Sequence, residues 1–443
     1  MRKLFVLLAL VMTSMFTSAA NKIQLSDIAN GKFAARYVSG IHPIDGTSLY
    51  ARISDDGKKV VEYSFKTGKQ TRVLFDVDNT MGKKLDGFDG YILSPDGTHM
   101  LIQTKKQSIY RRSFKAQYYI YTIASRKLEP LSEGGPQQVP TWSPDGRQVA
   151  FVRDNNIFLV KLLYDNAESQ VTKDGAFNQV INGVPDWVNE EEFGLSKALT
   201  FSADGTMICW VRYDESAVKT YSLQMFAGEK PRHDEYAAYP GLYSYKYPKA
   251  GEDNSKVSVW SYDIKSHKAQ KLQVPLDADG YIPRIKATND ASRLLVYTFN
   301  RHQDNLSIYS VNPRSTVATL LISDKANKYV KEEVLEGIEV GANTILLPSE
   351  RNGFMNLYLY NMNGKLLRTV GNGTFDITAN YGYDEVTGDI YYQAAALNAH
   401  DRQVFVSHKN GKTTRLTNQE GWNSAIFSAD HKYFVNTWSD YNT

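Results

Sequence analysis

The sequence has almost no cysteine, because Cys209 is the only one among its 443 residues. No intramolecular disulfide can form, so the fold must depend on its hydrophobic core. Cys209 lies in the apolar segment 207–211, which favours a buried, inert thiol over a reactive one. The eight histidines are scattered without the spacing of a zinc-binding pair, and neither a metal nor another cofactor is expected.

Long runs of one charge are missing as well. The chain has 51 Lys and Arg against 48 Asp and Glu, and neither sign is concentrated in a long segment. A nucleic-acid-binding protein normally carries a basic patch or stripe. Nucleic acid is therefore not expected as a partner.

Long apolar runs are also absent, except at the N-terminus. There Arg2 and Lys3 precede an apolar stretch that ends in small residues before Ala20. This pattern is typical of a secretory signal peptide spanning 1–20, and an uncleaved signal anchor is the alternative. We therefore expect an exported protein, periplasmic or attached to the cell envelope, with a short N-terminal segment at 21–45.

The mature sequence shows no long amphipathic helical period, but one short sequence motif recurs along it. A small polar turn containing Asp-Gly, or a variant of it, precedes an alternating apolar strand. Asp can bond to the backbone and Gly accepts a positive φ, which suits a hairpin turn. Eight turns of this kind are marked by Gly57, Gly97, Gly146, Gly205, Ala291, Gly341, Gly388 and His431.

Most of these markers are about 40 to 60 residues apart, which fits a four-stranded blade. Repeated sheets without helices predict an all-β propeller, because each sheet needs neighbours to cover its faces. We expect eight blades over residues 46–443, with seven as the alternative, after a short N-terminal extension. The longest gap, from Gly205 to Ala291, predicts an insertion around 228–255, and its Tyr, Pro and Lys content favours an extended loop.

The sharpest local feature is the acidic string Asp-Trp-Val-Asn-Glu-Glu-Glu-Phe at 186–193. Three consecutive carboxylates repel each other, so a solvated acidic turn is one interpretation. The other is an anionic clamp, in which two glutamates accept hydrogen bonds from a cation such as an ammonium group. Trp187 and Phe193 would then partly exclude water from the clamp.

Four further strings accompany the acidic one. They are Ile-Tyr-Arg-Arg-Ser-Phe at 109–114, Lys-Tyr-Pro-Lys-Ala-Gly-Glu at 246–252, Ser-Glu-Arg-Asn-Gly-Phe at 349–354 and Gly-Thr-Phe-Asp-Ile at 373–377. Their order and spacing resemble the N-terminal β-propeller of the dipeptidyl peptidase IV family, serine peptidases of the prolyl oligopeptidase type. The resemblance covers about 25–443 and is strongest with bacterial members.

The resemblance implies a substrate site in a peptidase that removes X-Pro or X-Ala dipeptides from peptide N-termini. In that family the second and third glutamates, here Glu191 and Glu192, hold the free α-amino group. The matching arginine, here Arg111, binds the carbonyl of the penultimate residue, and a purely structural Arg111 is the alternative. Glu190 is expected to be structural, and Arg112 would face away from Arg111 if both lay in a strand.

The family's catalytic Ser, Asp and His lie on an α/β-hydrolase domain with a Gly-x-Ser-x-Gly elbow. The nearest strings, at 46–50 and 194–198, lack the second glycine, so no catalytic residue is assigned. We expect the substrate-recognition half of an exported dipeptidyl peptidase, inactive alone, either a fragment or one part of a split protein. Its expected partners are peptides with a free N-terminus and an α/β-hydrolase domain encoded downstream, and homodimerisation stays open. The alternative is a freestanding exported propeller that binds or scaffolds other proteins.

Overall fold

The computed structural model describes residues 22–34, 38–229 and 233–440. The expected signal peptide at 1–20 lies outside these residues. The chain divides into two compact units, Met1–Gly40 and Ile41–Thr443. In the described part of the first unit one short helix, α1 (Leu25–Ala29), is present. Gln24 and Asp27 cap this helix reciprocally at its N-terminus.

The second unit is built of β-sheets, and the first three blades follow one another along the chain. Blade 1 contains β1 (His42–Pro43), β2 (Leu49–Ile53), β3 (Lys59–Ser64) and β4 (Gln70–Asp76). Blade 2 contains β5 (Met81–Gly82), β6 (Gly90–Leu93), β7 (His99–Ser108), β8 (Phe114–Thr122) and β9 (Lys127–Pro130). Blade 3 contains β10 (Gln138–Trp142), β11 (Gln148–Arg153), β12 (Asn156–Lys161) and β13 (Ala167–Gln170).

Blade 4 is interrupted by a helix and by a separate hairpin. Its strands are β14 (Val180–Asn182), β15 (Leu199–Phe201), β16 (Met207–Asp214), β19 (Lys256–Asp263) and β20 (Lys268–Lys271). The helix is α2 (Trp187–Phe193), and the hairpin consists of β17 (Thr220–Met225) and β18 (Gly241–Lys246).

Three regular blades complete the set of four-stranded sheets. Blade 5 contains β21 (Tyr281–Ala287), β22 (Leu294–Phe299), β23 (Asn305–Val311) and β24 (Ala318–Lys325). The helix α3 (Glu333–Gly337) precedes blade 6, which contains β25 (Glu339–Val340), β26 (Thr344–Ser349), β27 (Asn356–Asn361) and β28 (Leu366–Val370). Blade 7 contains β29 (Ile377–Asp384), β30 (Asp389–Ala394), β31 (Gln403–Ser407) and β32 (Thr413–Arg415). Single 3₁₀ turns occupy Val77–Asn79, Leu162–Tyr164 and Asp234–Tyr236.

The fold is an all-β propeller, as expected from the repeats. All eight turn markers lie in the turn that joins two consecutive strands near the start of a sheet. At the third of them, Ser143 Oγ donates to Asp145 (2.6 Å) and accepts the N–H of Gln148 (2.9 Å), while Gly146 has φ 68°. The turns at 94–99, 202–207 and 428–433 repeat this hydroxyl network. The hydrogen bonds of the turn and its positive φ therefore explain why the same sequence motif recurs.

Seven blades are complete in the part of the chain that the structure describes, which is the alternative count rather than the leading one. The eighth marker, His431, joins β33 (Trp422–Phe427) to β34 (Phe434–Ser439), and these strands form a two-stranded sheet in the described residues. This sheet packs between blade 7 and blade 1. Gln393 of blade 7 donates to the carbonyl of Asn423 (2.6 Å), and Ser48 of blade 1 donates to Asp430 (2.5 Å).

Hydrophobic clusters hold neighbouring blades together. One cluster joins blades 1 and 2, a second joins blades 2 and 3, and a third extends from blade 3 through blade 4 to blade 5. The second strands of blades 5 and 6 are buried on both faces, because all six residues of β22 and all six of β26 are buried. Such strands read as continuous apolar runs because blades cover them from both sides. Cys209 of β16 is fully buried as expected, and burial raises the pKa of its thiol to about 12.

The insertion in blade 4 is a β-hairpin rather than the expected extended loop, and it begins before residue 228. Its strands pair Tyr221 with Tyr245 and Leu223 with Tyr243. Cross-strand aromatic and aliphatic pairs of this kind stabilise a ladder, which is why the Tyr-rich sequence forms strands. Among the described residues, no helix has the length and apolar character required to cross a membrane.

Candidate functional site

The acidic string forms the short helix α2 between two strands of blade 4, and not a turn. Asp186 caps the helix, because one carboxylate oxygen accepts the N–H of Asn189 (2.9 Å) and the other accepts the hydroxyl of Ser255. Gly194 ends the helix in a left-handed conformation, φ 63°. Asp186 at the start of the string and Gly194 directly after it are the signals from which the helix could have been predicted.

Glu190 connects α2 to the loop between β7 and β8. The side chain is buried, and Oε1 accepts the backbone N–H groups of Arg112 (2.7 Å) and Ser113 (2.8 Å). The loop that carries Arg111 is therefore held against the helix by a buried carboxyl group. This contact agrees with a structural role for Glu190.

Arg111 and Glu191 form a two-point ion pair. Nε of Arg111 donates to Oε2 of Glu191 (3.0 Å), and Nη2 lies 2.7 Å from Oε1. The guanidinium group holds the pKa of Glu191 below its ordinary value, so this carboxylate stays ionised at neutral pH. The side chains are 69% and 25% exposed, respectively. Two of the three predicted binding residues are thus in direct contact at an accessible surface.

Glu192 completes the triplet in a third environment. Its side chain is exposed and makes no hydrogen bond or ion pair with any residue that the structure describes. The three adjacent glutamates therefore differ: Glu190 is buried and bonded to the 109–113 loop, Glu191 is ion-paired, and Glu192 has no partner among the described residues. The two accessible ones are Glu191 and Glu192, the two predicted to bind an amino group.

Arg112 lies in the loop and not in a strand, so the strand argument for its orientation is wrong. Its Nη1 donates to the carbonyl of Glu190 (3.3 Å). Arg284 of blade 5, which sequence reasoning did not single out, donates from Nη2 to the carbonyl of Phe193 (2.7 Å). These two cations satisfy carbonyl groups at the C-terminal end of α2, where the helix leaves them unpaired.

The two aromatic residues of the acidic string have different roles. Trp187 packs on Tyr247 of the hairpin segment, with ring centroids 4.1 Å apart, and lies near Tyr245 at 6.4 Å. Phe193 was expected to help exclude water from the clamp, but it is buried in the core against Tyr281 and Phe299. Its place in the helix turns it towards blade 5. Only Trp187 therefore borders the candidate site.

The hairpin brings further residues to the site that the sequence pattern did not reveal. Together with α2 and the 109–113 loop it encloses a cavity of about 470 Å³, which Arg111 and Glu191 border. At the base of the hairpin Glu215 is 6% exposed, and burial together with the nearby carboxylate of Asp186 raises its pKa to about 7. Within the described residues, no group of three or more His, Cys, Asp or Glu could hold a metal ion.

Comparison with known proteins identifies the family. The sequence profile described as "Dipeptidyl peptidase IV (DPP IV) N-terminal region" matches residues 94–443. The chain belongs to the dipeptidyl peptidase IV family. Its propeller is the N-terminal region of these peptidases, and the residues that the structure describes contain no α/β-hydrolase domain.

Fungal proteins of the dipeptidyl peptidase IV family are among the curated relatives of this chain. A probable dipeptidyl-aminopeptidase B of Emericella nidulans is 33% identical over 331 residues, which cover 69% of this chain and 35% of that protein. A probable dipeptidyl peptidase 4 of Aspergillus flavus is 27% identical over 427 residues, or 91% of this chain and 53% of that protein. The chain thus spans about half, or less, of the length of these relatives.

Solved structures show the same fold. The crystal structure of Porphyromonas gingivalis dipeptidyl peptidase 4 matches with a TM-score of 0.89 and 38% sequence identity, over 94% of this chain and 58% of that one. A putative dipeptidyl aminopeptidase IV from Bacteroides ovatus matches with a TM-score of 0.65 and 18% identity, over 91% and 57% of the two chains. At that identity the second match supports the fold alone.

Proposed function

We propose that this chain is the substrate-recognition part of an exported, dipeptidyl peptidase IV-like serine peptidase. In this function Glu191 and Glu192 hold the α-ammonium group of a peptide, and Arg111 binds the carbonyl of the penultimate residue. The observation that carries the proposal is the ion pair between Arg111 and Glu191 beside the unpartnered carboxylate of Glu192. Membership in the family supports the same assignment.

The chemistry of an ammonium group suits this arrangement. An α-ammonium has three N–H donors, and a carboxylate oxygen can accept more than one hydrogen bond. Glu191 therefore retains acceptor capacity although Arg111 already donates to both of its oxygens. Arg111 also keeps Glu191 ionised, and its own exposure leaves N–H groups for a carbonyl oxygen. Anchoring the amino end fixes which peptide bond lies at a given distance from it.

Cleavage requires a nucleophile, which a Ser-His-Asp constellation on an α/β-hydrolase domain supplies in this family. We therefore propose such a domain, encoded downstream, as the functional partner, with X-Pro and X-Ala peptides as substrates and a homodimer as a possible assembly. The N-terminal pattern at 1–20 supports export to the periplasm or cell envelope. We also propose that β33 and β34 are part of an eighth blade, because their turn repeats the hydroxyl network of the other blades.

A binding experiment with the purified chain tests the ammonium site. We expect a tripeptide such as Gly-Pro-Ala to bind in calorimetry, and its N-acetylated form to lose at least tenfold in affinity. The double variant Glu191→Gln, Glu192→Gln should lose binding to a similar extent. Glu420→Gln is a suitable control, because Glu420 is an exposed glutamate in the loop before β33.

Equal binding of the free and acetylated peptides would contradict the proposal and favour a freestanding propeller that binds other proteins. Affinity that is unchanged in the double variant would also contradict it. Both outcomes can be read without a catalytic domain, because the experiment measures binding alone.

A further inference from the structure

Two lysines lie at the innermost strands of blades 4 and 5, and we call them the lysine pair. The first strands of neighbouring blades lie side by side, as β10 with β15 and β15 with β21 do, so these strands surround the axis of the propeller. Lys197 comes just before β15, and Lys286 belongs to β21. Both side chains are exposed, and neither makes a hydrogen bond or an ion pair with any residue that the structure describes.

The two ammonium groups act on each other across the boundary between the blades. Burial lowers the pKa of Lys197, and the charge of Lys286 lowers it further. The pKa of Lys286 is lowered by burial and by the charge of Arg284. A channel produces this combination of exposure and depressed pKa, because the amine reaches water while the protein around it displaces much of its hydration. The lysine pair is therefore poorly hydrated for its charge.

The neighbouring charges do not neutralise the lysine pair. Arg284 lies two residues before Lys286 on β21 and adds a further cation, which donates to the carbonyl of Phe193. The carboxylate of Glu336 acts against the lowering of the Lys286 pKa, but it lies 3.4 Å from Nη2 of Arg284 and its side chain is 71% exposed. Within the residues that the structure describes, most of the positive charge of the lysine pair is thus uncompensated.

The backbone beneath the lysine pair is fixed by the blades. The N–H of Ala198 donates to the carbonyl of Gly183 (2.9 Å), and the carbonyl of Ala198 accepts the N–H of Val211 (2.9 Å). Lys286 is paired with Leu295 in the ladder between β21 and β22. Both lysines therefore start from rigid segments, and only their side chains need to move to reach a common ligand. A site organised in this way has a small ordering cost on binding.

We propose that the lysine pair binds the carboxylate groups of an acidic peptide in the channel of the propeller. A carboxylate between the two amines accepts charge-assisted hydrogen bonds from both and offsets their mutual repulsion. Each lysine has three N–H donors on a flexible stem, which suits ligands of variable position. The chain belongs to a family of peptidases, so peptides are the anionic ligands chosen here. The lysine pair shares no residue with the proposed ammonium site, and its function does not depend on that site.

Peptides with blocked ends test the proposal, because they have neither an α-ammonium group nor a C-terminal carboxylate. We expect N-acetyl-Glu-Glu-amide to bind the purified full chain in calorimetry at low salt, and N-acetyl-Gln-Gln-amide to bind at least tenfold more weakly. Lys197→Gln and Lys286→Gln should each reduce the affinity for the Glu peptide about fivefold, the loss expected for one charge pair. An ionic strength of about 1 M should remove most of the binding.

Two further variants provide controls. Lys365 is an exposed lysine in the turn between β27 and β28, away from the innermost strands. Lys365→Gln removes one positive charge there and should keep the full affinity for the Glu peptide. The double variant Lys197→Arg, Lys286→Arg retains both charges and should keep most of it.

The lysine variants also have a readout without ligand. Because the two amines repel each other, replacing one of them by Gln should leave the melting temperature unchanged or raise it. A marked decrease would show that the amine stabilises the fold through a partner, which would contradict the proposal.

The binding outcomes decide the rest. A preference for the Glu over the Gln peptide that disappears in the double variant Lys197→Gln, Lys286→Gln, but persists in Lys365→Gln, supports the proposal. Equal affinity for the two peptides overturns it, and so does a preference that survives in the double variant. Binding of inorganic phosphate without binding of the Glu peptide also overturns it, because the site then takes a free anion. The blocked ends keep these outcomes separate from the success or failure of the proposed ammonium site.

Discussion

Blade 3 and blade 4 are antiparallel sheets of the same kind, but only blade 4 has other elements inserted between its strands. In blade 3 four strands follow one another between residues 138 and 170 with short turns. In blade 4 the helix α2 separates β14 from β15, and the hairpin separates β16 from β19. The candidate binding residues come from these interruptions and from one loop of blade 2. The comparison indicates that the regular strands and turns of the blades form a structural frame. The candidate site is carried by the segments that interrupt this frame, which are α2, the hairpin and the loop of blade 2.

The largest effect is expected from damage to the frame. Phe151 of blade 3 is fully buried in the cluster between blades 2 and 3 and stacks on Phe158, with centroids 5.6 Å apart. Phe151→Ala should lower the free energy of unfolding by about 3–5 kcal/mol in urea denaturation. Val386→Ala, at a 95% exposed position, is the control and should change it by less than about 0.5 kcal/mol. A small effect at Phe151 would contradict the assignment of stability to the repeat.

The next effect concerns the base of the hairpin and depends on pH. The folded-state pKa of Glu215 is about 7, above its ordinary value of 4.5, so the folded protein binds more protons between these pH values. Stability should therefore fall as pH rises from about 4.5 to about 7, by on the order of 3 kcal/mol from this group.

Glu215→Gln should remove that part of the pH dependence, because the amide has no proton to lose. The measurement is the difference in unfolding free energy between the two proteins at several pH values, which cancels the other titrating groups. Parallel pH profiles for the two proteins would show that Glu215 is not buried as described.

A smaller loss of stability is expected at Glu190, where frame and site meet. Glu190→Ala leaves the N–H groups of Arg112 and Ser113 without their acceptor, which costs about 1–3 kcal/mol. Because the same contact positions the Arg111 loop, binding of Gly-Pro-Ala should weaken as well. The exposed neighbour provides the contrast, since Glu192→Ala should weaken binding without changing the unfolding free energy. If Glu190→Ala leaves binding intact, the loop is positioned by other contacts.

The smallest effect is expected from a single repeated turn. Ser143→Ala removes the hydroxyl that bonds to Asp145 and Gln148, which should cost about 1 kcal/mol in unfolding free energy. Peptide affinity should stay unchanged, since the turn belongs to the regular repeat. A change in affinity would show that frame and site are not separable in this way.

The repeat was predictable because its turns use chemistry that is local in sequence. Each of these turns is closed by hydrogen bonds from its Ser to atoms within five residues, so the short motif contains all the groups that form the turn. The blade count does not follow from the turns alone. A marker reports one hairpin near the start of a sheet, and His431 shows that a hairpin alone does not establish four strands.

The site was predictable only in part. The family resemblance selected Arg111, Glu191 and Glu192, and the first two are in contact although they are 80 residues apart. The helix was missed because seven residues give too little helical periodicity, although Asp186 and Gly194 mark its ends. The hairpin residues that line the cavity and Arg284 reach the site through packing between distant segments, for which a single sequence contains no local signal.

The contact between Ser48 and Asp430 joins two residues that are 382 positions apart. This contact marks the seam where the last sheet, β33 and β34, meets blade 1. In the described part of the chain, no sheet combines strands from both sides of this seam, so each blade is continuous in sequence. The order in which the blades are synthesised is therefore not imposed by strand pairing. A circularly permuted chain, opened between Val370 and Ile377 and linked across the seam, would keep every strand of the propeller beside its present partners.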